Sequence, residues 1–476
     1  MDWYRFAIVA GWALALAACG PSNDIAPPEP RPLGREFIAL SSPPSDYADA
    51  TARDGVRGTP EIPADKGGQA PLAEEPFGTL TLQQALALSL MRSPEFAVFS
   101  YDTRAAEART LQAGYRPNPE ISVLTEDFGG NRGRGGVGQS QNTLALSQAV
   151  ELGAKRTKRL RLARLDESLA AWDFEAKRLD VFVEVTKAFV GVLSAQRKLD
   201  LATATLGIEQ QFYGSVNDRV RAGKVSPIEQ RRADVTLANS HIAIDKTKRE
   251  LTVARDKLAA LWSGRQAHFA RAEGDLNNVA PPPPLERLVT LAAQNPDLAR
   301  WTTEIQQREA RLAVERSKNV PDITLQGGIR RYGDGGSAIV AGVGIPLPVF
   351  GLNRGNIGEA QMQLGKGHAQ QRAAEIRINA AVRQSFEQLA GAYDEVTTLR
   401  RDVLPAAEAA FNGTSIGYRD GKFGLLEVLD ARRAQTDAQS RLVDALGAYQ
   451  AAVADVERLT GQSLRDVPPS TMGDKR

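Results

Sequence analysis

One pattern occurs twice in this chain. Ser93-Pro94-Glu95-Phe96-Ala97 recurs as Asn295-Pro296-Asp297-Leu298-Ala299, and Pro119-Glu120-Ile121 recurs as Pro321-Asp322-Ile323, both displaced by 202 positions (295 − 93 and 321 − 119). Ala222-Gly223-Lys224 with Glu229 recurs as Asp420-Gly421-Lys422 with Glu427, displaced by 198 (420 − 222 and 427 − 229). Each copy runs in the same order: a proline-capped helix, a strand pair, a very long helix, a glycine turn and a long returning helix. A repeat near 200 residues far exceeds a solenoid unit and reads as a duplicated half-structure. Length alone would allow the 476 residues two or three domains. The repeat argues against independent ones, because each half carries only two strands and helices too long to fold back into a globule.

The N-terminus reads as a targeting segment. Arg5 is its basic flank, and Phe6 to Ala18 is an apolar run of signal-peptide length, too short to cross a bilayer. It ends Leu16-Ala17-Ala18-Cys19, which resembles the lipobox of bacterial lipoproteins; the alternative is an ordinary signal peptide with an incidental cysteine. Cys19 is the only cysteine, so an intrachain disulfide is impossible, and a thiol after small residues suits a lipid acceptor. Pro21 and Ser22 follow, without the aspartate that the resemblance associates with inner-membrane retention. The expected layout is a signal peptide over 1–18, a lipidated flexible tether over 19–78, repeats over 79–280 and 281–465, and a tail over 466–476. The tether is rich in Pro, Gly, Ser and charge, with no apolar period. Net charge is +2, from Lys+Arg 59 against Asp+Glu 57, which gives no electrostatic case for a nucleic-acid partner.

Structure is expected from Thr81-Leu82-Gln83-Gln84, a capping-box pattern opening a short helix to about Met91. Ser93 caps a second helix with Pro94 at its first position, running to about Tyr115 before Pro117 and Pro119. Two alternating segments follow. Glu120 to Phe128 places Ile121 and Val123 on one face, and Gln141 to Val150 places Leu144, Leu146 and Gln148 opposite Thr143, Ala145 and Ser147. A glycine-rich polar loop over 129–136 joins them. The second half matches with Asp322 to Arg331, a loop at Tyr332-Gly333-Asp334-Gly335-Gly336, then Ser337 to Leu347. Each segment is about ten residues, the length of a tilted transmembrane strand. Ordinary soluble hairpins remain an alternative on the strands alone.

From Ala154 to Arg221 nothing breaks a helix. Leu162, Leu165, Leu169, Trp172, Ala176, Leu179, Val183, Thr186, Val190 and Leu193 form one heptad seam, and Val382, Phe386, Leu389, Tyr393 and Val396 repeat its rhythm. At 1.5 Å per residue the first long helix is about 100 Å. The returning helix, Pro227 to Trp262, and the helix from Pro94 together nearly match it, so each half can set one continuous rod against two abutted ones.

Open sheet edges cannot lie in lipid, where every backbone N–H and C=O needs a partner. Four strands cannot close alone; eight, from two chains, make a barrel filled by its own side chains, and twelve, from three, leave a lumen. Here the sequence resembles the outer-membrane factors typified by TolC, over roughly residues 80–465. Arg116-Pro117-Asn118-Pro119-Glu120, Glu126-Asp127-Phe128-Gly129-Gly130, Leu146-Ser147-Gln148, Glu151-Leu152-Gly153-Ala154-Lys155-Arg156 and Gly424-Leu425-Leu426-Glu427-Val428-Leu429-Asp430-Ala431 look like its CzcC-type branch. The resemblance implies a mixed α and β membrane protein: a trimeric β-barrel with four strands per chain, continued by a long periplasmic α-helical barrel. It implies a homotrimer in the Gram-negative outer membrane, working with a periplasmic membrane-fusion adaptor and an inner-membrane RND pump. The branch implies export of divalent heavy-metal cations such as cobalt, zinc or cadmium. Drug or organic-solute efflux and type I secretion are alternatives within the fold, and a periplasmic coiled-coil adaptor or structural lipoprotein is one outside it.

No catalytic constellation or cofactor motif is expected. His241, His268 and His368 are scattered, and Ala222-Gly223-Lys224-Val225-Ser226 lacks the glycine and Lys-Ser/Thr adjacency of a phosphate loop. No soft-ligand cluster suggests a metal site. Interest falls on two helix tips. Around the first, Arg219, Gly223, Lys224 and Ser226 are candidate adaptor-docking residues, with Ser226, Pro227 and Glu229 expected to form a capping box. Around the second they are Arg419, Gly421, Lys422 and Phe423, with Phe423 and Leu425 expected to be exposed. Glu427, Asp430 and Asp437 share one face of the returning helix and are candidate pore-gate acids. Their alternative is pairing with Arg432, Arg433 or Arg441.

Overall fold

The computed structural model describes residues 77–129 and 137–464. Cys19, most of the tether, the loop over 130–136 and the tail over 466–476 lie outside the described residues. The first half comprises β1 (Thr79–Thr81), α1 (Leu82–Arg92), α2 (Pro94–Gly114), β2 (Glu120–Glu126), β3 (Gln141–Val150), α3 (Lys155–Arg221) and α4 (Pro227–Ala260). After β4 (Arg271–Glu273) come α5 (Leu285–Ala292), α6 (Pro296–Ser317), β5 (Ile323–Tyr332), β6 (Ser337–Gly344) and α7 (Arg354–Thr398). A π-turn at Leu399–Val403 then leads into α8 (Leu404–Arg419), which turns into α9 (Leu425–Thr460).

The local signals behave as expected. Thr81 and Gln84 form the reciprocal capping box of α1, Ser93 caps α2 with Pro94 at its start, and Asn295 with Pro296 does the same for α6. The strands form one antiparallel sheet in the order β2-β3-β5-β6, so the two halves join through β3 and β5. Register sorts its side chains. Ile121 lies opposite Leu146, Val123 opposite Leu144, Leu144 opposite Ile329, and Ile329 opposite Ile339, all on one face with Leu325, Ala341 and Val343. The other face holds Glu120, Ser122, Glu126, Gln141, Thr143, Ser147, Gln326 and Arg330, with Leu124, Tyr332, Val340 and small residues among them. The apolar face is bare, Ile121 being 74% and Ile339 87% exposed, whereas Thr143 and Ala145 on the polar face are buried. Solvent-facing apolar side chains on a sheet of membrane length are the lipid-facing pattern of a barrel wall. Among the described residues no helix is long and apolar enough to cross a membrane.

Both strand pairs pass into helices through left-handed corners. Gly153 and Ala154 precede α3 with φ 68° and 56°, and Gly351, Leu352 and Asn353 precede α7 with φ 83°, 38° and 51°. Such φ values are strained for residues with a Cβ and need support. Asp322 supplies it at the first corner, accepting from the Leu152 N–H at 3.0 Å and pairing with Lys155 at 2.7 Å. At the second, the Asn353 amide donates to the carbonyl oxygen of Glu315 at 2.9 Å and to its carboxylate at 3.0 Å.

α3 is one unbroken helix of 67 residues, about 100 Å long. It packs against α2 over its first part and α4 over its last, as one rod against two, and also against α6 and α9. A single heptad seam cannot serve that many neighbours. Leu162, Leu165, Leu179, Val190 and Leu193 are buried as expected, but Val181, Val185, Phe189 and Val192 are too, on a second stripe. That stripe meets Leu80, Leu88, Leu258, Trp262 and Phe269 in the main core, which also holds Val382, Leu389 and Val396 of α7. The short parallel pair β1-β4 and helix α5 at this core lack a sequence expectation, being three and eight residues long. In the second half the long helix is interrupted. Pro405 has no N–H, and its ring would strike the Arg401 carbonyl of a continuous α-helix. The π-turn widens the coil just before it, with the Leu404 N–H donating to the Leu399 carbonyl.

Candidate functional site: the paired helix tips

The two glycine turns lie side by side, and each is a complete Schellman motif. In the first, the Gly223 N–H donates to the Val220 carbonyl at 2.9 Å and Lys224 to Arg219 at 2.9 Å; in the second, Gly421 donates to Tyr418 at 3.1 Å and Lys422 to Gly417 at 2.7 Å. Gly223 and Gly421 take φ 69° and 77°, the left-handed cap position that residues with a Cβ resist. The returning helices differ. Ser226 caps α4, its Oγ accepting from the Ile228 N–H at 3.4 Å, whereas Gly424 precedes α9 with no side-chain cap.

Two expectations about these turns are corrected. Glu229 does not close a capping box on Ser226: its carboxylate accepts a hydrogen bond from the Tyr418 hydroxyl at 3.0 Å, linking α4 to α8. A partner in the other half competes better than the solvated N-cap amide. Leu425 is not exposed but buried beside Val216, Ala233, Tyr418 and Val428, because the first turn of α9 leans onto this small apolar cluster. Phe423 remains half exposed, one side of its ring lying against Gly417, where any Cβ would collide with it. Gly223, Lys224, Ser226, Arg419, Gly421 and Lys422 are all exposed. Arg219 is half buried, donating to the Tyr418 carbonyl at 3.2 Å with its guanidinium 4.4 Å from the Tyr418 ring centre. Tyr418 thus joins three helices, and burial, reinforced by the nearby Glu229, raises the pKa of its phenol.

A buried ion pair lies behind the tips. Arg432 of α9 approaches Glu209 of α3 at 3.5 Å, both side chains under a tenth exposed. The guanidinium also covers the Phe411 ring at 5.1 Å and donates to Gln435 at 2.7 Å. Burial pushes the Glu209 carboxyl upward against the opposing pull of Arg432. Sequence reasoning overlooked Glu209 and Tyr418, yet a signal existed: Glu209 sits seven residues before Val216, and Arg432 seven after Leu425, both charges at apolar seam positions. Arg432 is consequently unavailable to the candidate gate acids. Glu427, Asp430 and Asp437 are all exposed, and none forms an ion pair among the described residues.

A strand quartet with one bare apolar surface, joined by long helices to a pair of capped tips, is the build of an outer-membrane efflux channel. The chain belongs to that family: the model described as "Outer membrane efflux protein" matches residues 85–264 and 288–462. Among curated relatives it is similar to the cobalt-zinc-cadmium resistance protein CzcC of Cupriavidus metallidurans, with 32% identity covering 90% of this chain and 99% of that one. It is also similar to the nickel-cobalt-cadmium resistance protein NccC of Alcaligenes xylosoxydans, with 26% identity covering 78% and 83%. The crystal structure of CusC shares its fold at TM-score 0.68, with 17% identity over 80% of this chain and 92% of that one.

The buried pair makes the tips sensitive to charge. Arg432→Met should destabilise the protein by about 3–5 kcal/mol at neutral pH by stranding the Glu209 carboxylate. Because the folded pKa of Glu209 lies above its ordinary value of 4.5, its contribution to stability is fullest below that value and declines as pH rises through the raised one. The loss should therefore shrink on acidification, and Glu209→Gln with Arg432→Met should recover most of it. Thermal unfolding of detergent-solubilised protein at acidic and neutral pH measures both effects; equal losses at the two pH values would contradict the assignment.

Proposed function

We propose that this chain is the outer-membrane channel of a tripartite efflux system exporting divalent heavy-metal cations such as cobalt, zinc or cadmium. The observation that carries the cargo is the 32% identity with CzcC over nearly the full length of both chains. The channel is a homotrimer whose twelve strands close one barrel and whose helices continue it through the periplasm. Two features support this. Strands β2 and β6 each have a single strand partner among the described residues, leaving both sheet edges to be paired by other copies. Helix α4 also exposes Ile228, Val235 and Ile242 at seven-residue spacing, a stripe that suits a neighbouring helix of the tunnel. The duplicated halves then place six tips at the periplasmic mouth.

In this reading the tips are where a periplasmic membrane-fusion adaptor docks, with an inner-membrane RND pump below. Exposed Lys224, Arg419, Lys422 and Phe423 offer cations and one aromatic anchor, and the Schellman turns hold them on a rigid backbone. Cys19 carries the covalent lipid after removal of residues 1–18, and no other cofactor is required. Glu427, Asp430 and Asp437 line the lumen as rings of carboxylates favouring cations.

Native mass spectrometry of detergent-extracted protein should give three times the mass of a chain beginning at a lipid-modified Cys19. A monomer, or a peptide running upstream through Ala18, would count against the trimer or the anchor respectively. In a host lacking its own exporter, the system carrying this chain should confer cobalt, zinc and cadmium tolerance. Gly223→Val or Gly421→Val should abolish that tolerance with normal trimer yield. Nothing lies within 4 Å of a Cβ at either position, so the effect is conformational, about 1–2 kcal/mol or more of left-handed strain. Wild-type tolerance in both variants would refute docking at these turns. Glu427→Gln with Asp430→Asn and Asp437→Asn should reduce cation-over-anion selectivity in planar bilayers; unchanged reversal potentials would remove these acids from the pore wall.

A further inference from the structure

The polar face of the sheet carries its charge unevenly. Among the strand residues on this face only Glu120, Glu126 and Arg330 are charged, and Asp127, just past β2, joins the far end by accepting from Gln141 Nε2 at 3.0 Å. Glu120 opens β2 beside the helices, and Glu126 closes it six residues further on, about 20 Å away. Arg330 lies at the same far end and reaches across β3. Its Nε donates to Thr143 Oγ1 at 2.9 Å, Nη1 to Gln141 Oε1 at 3.1 Å, and Nη2 to Glu126 Oε2 at 3.2 Å. One guanidinium thereby ties three strands together. The pair is not sealed in a core: the Arg330 side chain is 28% exposed and that of Glu126 43%.

We infer that Glu126 and Arg330 act together at the outer mouth of the channel, the carboxylate neutralising the guanidinium. This rests on the barrel reading, in which the apolar face meets lipid and the polar face meets the lumen. Three copies then place three guanidinium groups at the exit of a cation pathway, an arrangement that alone would repel the cargo. The three Glu126 carboxylates, each held on its own Arg330, remove that barrier without creating a site that retains a divalent cation. The two act as a specificity determinant whose contribution is hidden in the intact pair and is exposed with opposite signs by deleting either member.

Bilayer recordings under a KCl gradient test this, in the protein with Glu427→Gln, Asp430→Asn and Asp437→Asn so that the tip carboxylates do not mask the mouth. Arg330→Gln should raise the potassium-over-chloride permeability ratio about threefold, the factor carried by one kT of local potential. Glu126→Gln should lower it by a similar factor, and the two together should return it to the parent value. Arg330→Lys, which keeps the charge but not the forked geometry, should leave the ratio close to the parent. It replaces Arg330→Gln if that variant does not assemble, Glu126→Gln then carrying the sign. Channels of parental conductance in which Glu126→Gln leaves the ratio unchanged, or in which both single variants move it the same way, overturn the inference. A parent protein forming no channels would instead count against the barrel reading.

Discussion

Along β2 and β6 run two rows of backbone N–H and C=O groups with no strand partner among the described residues, on a sheet whose apolar face is bare. In hydrocarbon each such group costs several kcal/mol, so a lone copy cannot rest there. Much of the remaining structure can be read as a consequence. The strands leave the sheet through corners of left-handed residues buttressed by Asp322 and Glu315. From those corners the helices carry the chain away, α3 as a single rod of 67 residues.

The two ends are held by different forces. At the sheet, backbone ladders set the register, and β3 alone bonds along ten positions of β5. At the tips, a small apolar cluster is supplemented by side-chain contacts: Tyr418 to Glu229, Arg219 to Tyr418, and Arg432 to Glu209. A single hydrogen bond such as that from Tyr418 to Glu229 contributes about 0.5–1.5 kcal/mol, whereas breaking the buried Arg432–Glu209 pair costs about 3–5 kcal/mol. Between sheet and tips lie charged contacts such as Arg458 with Asp180 at 2.5 Å and Asp297 at 2.9 Å, which fix the halves in register.

Features written within four or five residues were legible before any coordinates. Ser93-Pro94, Thr81 with Gln84, and the glycine turns at Gly223 and Gly421 each carry their own hydrogen-bonding logic, and the alternation of Leu144 and Leu146 against Thr143 and Ala145 sorted one strand's faces. What escaped depends on residues far apart. Glu229 obeys the capping-box spacing, but Tyr418, 189 positions away, outbids the N-cap amide. Leu425 looks like a loop residue until Val216 and Ala233 are set beside it. The second buried stripe of α3 exists only because several helices share that rod, a number that periodicity along one helix does not encode. Of the candidate tip residues, the exposed cations were readable from their turns, whereas the pair Glu209–Arg432 needed the packing of α9 on α3.

The join between β3 and β5 has a bearing on how the chain is made. Each hairpin closes over a short stretch, but Val150 meets Ile323 only after more than a third of the polypeptide has been threaded between them. Local closure is fast and distant closure slow, because the entropy of the intervening chain is lost before the ladder rewards it. During secretion the first hairpin therefore waits with both edges open while the second half is still arriving. A chain stopped between Val150 and Asp322 would hold a finished hairpin but a corner without its Asp322 support, and would be adhesive along both sides. The order of the strands thus leaves the β3 edge of the first hairpin unpaired until β5 is delivered, and the β2 edge unpaired even then among the described residues.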